Sequence, residues 1–63
     1  MPIDLEIYRA ASAFIKRYGE DAALEAAVRS VKLLRKGEID GYLLWEQIID
    51  VIDKIQRGGG VLG

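Results

Sequence analysis

Glycines at 19, 37 and 58–60 divide this chain into three stretches of roughly helix length, and that division constrains the fold more than any other feature. Each stretch carries apolar residues at the three- and four-residue spacing that gathers them on one side of an α-helix. The glycines follow aromatic or basic residues, as expected just past a helix C-terminus. The spacing predicts helices over 4–18, 20–36 and 40–57 in a single all-α, three-helix domain covering 1–57. The run Gly58-Gly59-Gly60 predicts a flexible Gly-rich tail over 58–63, because ordering three glycines costs more backbone entropy than two apolar side chains return.

Charge supports the same division. Asp4 and the pair Glu20-Asp21 put negative charge at the first turns of the first two helices. Lys16-Arg17 and Lys32, Arg35 and Lys36 put positive charge at their last turns, and both placements complement the helix dipole. For the third helix Asp40 is the expected N-cap, with Ile39 and Leu44 as a hydrophobic staple around it. The stretch "KGEIDGYLLWEQI" also poses a calcium-loop question. With Gly41 at the sixth loop position, the first, third, fifth and twelfth would be Lys36, Glu38, Asp40 and Gln47. A lysine and a neutral amide stand where carboxylates are needed, so the stretch reads as a turn that starts a helix.

Size then requires a staple. A chain of 63 residues is below the roughly 70–80 at which one core suffices, and the absence of cysteine and histidine removes disulfides and the usual zinc sites. The second helix is apolar over about two thirds of its circumference when residues are placed at about 100° intervals. Three short helices cannot cover both that arc and the half-circle of the third, so dimerisation is expected to complete the bundle. Leu33, Tyr42, Trp45 and Ile49 are the expected interface residues, since an aromatic beside aliphatics at a helix start suits an anchor.

Composition argues against most chemistry. The chain has 9 basic and 10 acidic residues, net −1, which gives no general attraction to nucleic acid or an anionic membrane. No run of about 18 apolar residues spans a bilayer, and the reading is a cytoplasmic protein with no membrane partner. Without histidine or cysteine, Ser12 and Ser30 have no visible base to activate them. The carboxylate pairs Glu46/Asp50 and Asp21/Glu25 lie on wet helix faces. No catalytic, cofactor-binding or metal-ligating residue is expected, and no enzyme activity.

Two alternatives carry their own residues. Arg29, Lys32, Arg35 and Lys36 could form the basic end of a helix-turn-helix regulator, but Glu46, Asp50 and Asp53 would face the phosphates. The opening "MPIDLEIY" resembles the start of the small tautomerases, which use an N-terminal proline amine as base; here that would be Pro2. The helical remainder departs from that family's strand-containing fold.

A wider resemblance runs over about residues 6–56. It rests on Ile7-Tyr8-Arg9, Gly19, Asp21-Ala22-Ala23, Leu33-Leu34, Gly37, Gly41 and Trp45. In these the chain resembles a group of short helical bacterial proteins, mostly alphaproteobacterial, with no assigned activity. The shared positions are glycines, small residues and core residues, so the resemblance implies a fold and transfers no site. The expectation is a small non-catalytic interaction or scaffold protein, with itself as partner and an unidentified second protein as the further option.

Overall fold

A computed structural model describes the backbone of residues 4–61 and the side chains of residues 4–58. The described residues are all-helical, with no strand. Helix α1 spans Leu5–Tyr18, a single 3-10 turn spans Gly19–Asp21, α2 spans Ala22–Arg35 and α3 spans Ile39–Val61.

Helix α1 begins where the Asp4 side chain accepts the Glu6 N–H at 2.9 Å, satisfying one of the donors that a helix start leaves unpaired. It ends at Gly19, whose φ of 59° and ψ of −127° suit a residue without a Cβ. The Gly19 N–H donates to the Ile15 carbonyl, and its own carbonyl accepts from Ala22 N–H and, at 3.0 Å, from Gln56 Nε2 of α3. The chain is redirected there without a loop. Helical backbone therefore runs in two uninterrupted stretches, 5–35 and 39–61, where three separate helices were expected. One glycine suffices to turn the axis, and the 3-10 bond resumes the helix at once.

At the end of α2 the backbone closes differently. Gly37, at φ 80°, donates to the Leu34 carbonyl at 3.0 Å, and Glu38 N–H donates to the Leu33 carbonyl at 2.9 Å. This paired closure satisfies the last carbonyls of α2 and returns the chain directly into α3. Tyr42 N–H donates to the Glu38 carbonyl at 3.0 Å, so Glu38 occupies the cap position and Asp40, the expected N-cap, lies inside the first turn. The expected staple is out of register with that start, and Ile39 and Leu44 are each about half exposed. The glycine closure sets where α3 begins, two residues ahead of the side-chain signal. At its other end α3 continues through Gly58-Gly59-Gly60 to Val61, so the expected tail begins inside the helix. Extending an existing helix needs no new nucleus and adds one hydrogen bond per residue, which offsets the glycine penalty. Residues 62 and 63 lie outside the described residues.

The core is small. Ile7 and Ala11 of α1, Ala22 and Ala26 of α2, and Ile48 and Ile52 of α3 are buried, with Ser30 beside them. Ala22, Ala26 and Ser30 are spaced by four and form one row of small residues, so α3 can seat closely against α2. Ser30 Oγ donates to the Ala27 carbonyl at 2.8 Å, which satisfies the buried hydroxyl. Contact of α3 is most extensive with α2, then with α1, while α1 and α2 touch least. The principal-axis extents are 41 × 28 × 16 Å, the shortest enough for two packed helix layers, since a helix Cα cylinder is about 4.6 Å across and packed axes lie about 8–10 Å apart.

The glycine geometry gives a paired expectation. Gly19→Ala should destabilise the fold by about 1–3 kcal/mol, the cost of a side chain in that backbone region. Gly58→Ala, in a helix with open space around its Cβ, should stabilise by about 0.5–1 kcal/mol. Thermal denaturation of the two variants checks this, and equal effects in the same direction would contradict it.

Candidate interaction surface

The half-buried side chains gather around one aromatic cluster. The rings of Phe14 and Trp45 stand edge to face with centroids 5.0 Å apart, and Tyr18 lies 5.0 Å from Phe14 on its other side. The Arg29 guanidinium crosses from α2 over both Phe14 and Trp45, at 5.2 and 5.7 Å from the ring centroids. A cation over an aromatic face is attracted by the ring's quadrupole, about 0.5–1 kcal/mol where water is near. Trp45 thus joins α3 to both other helices.

The four expected interface residues are each half-buried in the protomer. Trp45 and Ile49 pack against the core, and Leu33 and Tyr42 are half-buried. Leu33 is held by its own chain, since a Cβ built on Gly41 would meet its Cδ1 at 3.2 Å. The side chains left in solvent are others. On α2, Leu24 is 63% exposed, Val28 42%, Val31 44% and Leu34 45%; Leu5, Tyr8 and Leu43 are similarly open. At about 100° per residue, Leu24, Val28, Val31 and Arg35 lie within about 40° of the direction opposite buried Ala26. A shallow groove lined by Ala27, Val28, Val31, Lys32 and Arg35 follows that line. The signal was present in the sequence as the wide apolar arc of α2. The row Ala22, Ala26 and Ser30 marks which part of the arc α3 takes, and therefore which part stays open.

Charges divide along the same helix. Glu20 and Asp21 of the preceding 3-10 turn and Glu25 stand at its N-terminal end, and Arg29, Lys32, Arg35 and the C-cap Lys36 stand in and after its second half. Among the described residues the ion pairs are Lys54 with Asp50 and Arg57 with Asp53, both within α3. The charges at the ends of α2 therefore have no ion-pair partner among the described residues.

Two other grooves open on the protomer. One of about 400 Å³ runs between α1 and α3, lined by Ile7, Ala10, Leu44, Trp45 and Ile48 with Asp4 and Glu6 at its rim. Another of about 210 Å³ is lined by Arg29, Lys32, Leu33, Lys36 and Trp45. Among the described residues no three potential metal ligands converge, and no helix is long and apolar enough to cross a membrane. Leu5 and Ile7, which continue the tautomerase-like opening, are helical, while Pro2 lies outside the described residues. No family model matches the chain, and neither a curated protein nor a solved structure matches it.

Placing Trp45 inside the protomer has a measurable consequence. Trp45→Ala should cost about 2–3 kcal/mol in chemical denaturation, less than for a fully buried tryptophan because the ring is half open. A loss within about 0.5 kcal/mol, the range of ordinary surface changes, would remove Trp45 from the packing of the fold.

Proposed function

We propose that this chain is a small, non-catalytic helical interaction or scaffold protein of the cytoplasm that acts as a homo-oligomer, most simply a dimer. One observation carries the reading. Leu24, Val28 and Val31 of α2 stand 63%, 42% and 44% exposed on the side of the helix opposite the small-residue row that seats α3, an apolar stripe of the kind that marks an interaction surface. Self-association requires no further sequence and returns apolar surface to a core that the single chain leaves small.

A DNA-binding role is the second reading, favoured by the groove that brings Arg29, Lys32 and Lys36 beside Trp45. The net charge of −1 weakens it, because phosphate contacts supply most non-specific affinity. Salt-dependent retention of the protein on DNA would favour this second reading.

Sedimentation equilibrium over a wide concentration range tests the homo-oligomer. The expected mass rises with concentration to at least twice 7.0 kDa. A constant mass of one chain, with helical circular dichroism intact, would remove the reading.

A further inference from the structure

We propose that the outer face of α2 is the surface through which two copies of this chain associate, paired antiparallel about a two-fold axis beside Val28. The proposal rests on the homo-oligomer reading and specifies its geometry. Three observations select this face and this orientation.

The first is apolar surface without a neighbour. Leu24, Val28 and Val31 lie on the side of α2 opposite the row that seats α3, and each is at least 42% exposed. The second is charge order. Asp21, the N-cap residue of α2, and Val28 and Arg35 within it recur at intervals of seven and therefore fall along one edge of the helix. Asp21 lies seven residues before Val28 and Arg35 seven after it. A two-fold axis at Val28 brings Asp21 of each copy level with Arg35 of its partner, at both ends of the contact. Parallel pairing would set Asp21 against Asp21 and Arg35 against Arg35, so the charges select the antiparallel arrangement. The third is availability. Asp21 makes no side-chain cap hydrogen bond, and neither it nor Arg35 is in an ion pair of the described residues.

The competing surface is the groove between α1 and α3. Its rim charges, Asp4 and Glu6, are both acidic, so an isologous contact there offers no complementary partner for either. The face of α2 is complementary to itself because its first half is acidic and its second half basic.

The test uses the full chain and reads dimer dissociation by sedimentation, with circular dichroism reporting the helical fold. Val28→Asp is expected to hold the chain at one protomer mass while leaving it helical, since Val28 has no part in the core. Asp21→Arg and Arg35→Asp, each alone, are expected to raise the dissociation constant about tenfold, two like-charge encounters replacing two attractive pairs. Combining the two substitutions in one chain is expected to restore the wild-type constant within about threefold, because the swapped charges again meet opposite ones. If wild type is a dimer and both Val28→Asp and the charge variants leave its mass unchanged, this surface is wrong while the homo-oligomer reading stands. If Val28→Asp dissociates the dimer but the combined variant is no better than the singles, the antiparallel register is wrong. A wild-type chain that is monomeric throughout removes both proposals.

Discussion

The close seat of α3 on the small-residue row of α2 is the contact on which the rest of this structure depends. Ala22, Ala26 and Ser30 present little side chain, so Ile48 and Ile52 can enter close to the α2 backbone. That proximity lets Trp45 reach Phe14 on α1 and lets Arg29 lie across both rings. It also limits what the core can become. Alanines bring helices together but bury little apolar area, and burial at about 25 cal/mol per Å² is the main favourable contribution to folding. Among the described residues, half of the six buried hydrophobics are alanine. The leucines and valines that could have filled a larger core stand on the opposite side of α2.

The two glycine turns determine how this contact is reached. Gly19 redirects the chain while keeping it helical, and the Gln56 side chain bonds its carbonyl, so the far part of α3 is tied to the turn between α1 and α2. Gly37 reverses the chain within two residues and places Gly41 directly under Leu33. With such short connections the three helices have little freedom in how they are ordered. Helix α2 meets α3 on one side and leaves Leu24, Val28 and Val31 open to solvent on the other.

Much of this was legible in the sequence, and the parts that were not have identifiable causes. Helical periodicity and the glycines located all the helical segments within a few residues, because both signals are local. The start of α3 was misplaced because Asp40 with Ile39 and Leu44 matches a capping pattern, whereas the start is set by the carbonyl of Glu38, which the closure at Gly37 positions. The continuation of α3 to Val61 ran against glycine's low helix propensity, which a helix already under way can bear. Leu33, Tyr42, Trp45 and Ile49 were read as a contact surface; within the protomer each is half-buried, and a single helix does not reveal how its apolar edges divide between its own chain and a partner.

The same charges on α2 have two physical explanations, and the two are compatible. Acids at the start of a helix and bases at its end complement its dipole within one chain, worth about 0.3–1 kcal/mol for each charge. That arrangement also makes the helix self-complementary when two copies run antiparallel. The apolar and charged parts of the proposed contact then have separate roles. Burying the exposed half of an aliphatic side chain contributes about 1 kcal/mol, so Leu24, Val28 and Val31 from each of two copies contribute about 6 kcal/mol. Association itself costs an estimated 4–15 kcal/mol, so the apolar stripe alone leaves a dimer close to balance. Near that balance, two charge pairs of modest strength decide both whether the copies associate at working concentration and in which orientation they do so. The charges that make α2 a good helix are then the ones that make it its own partner.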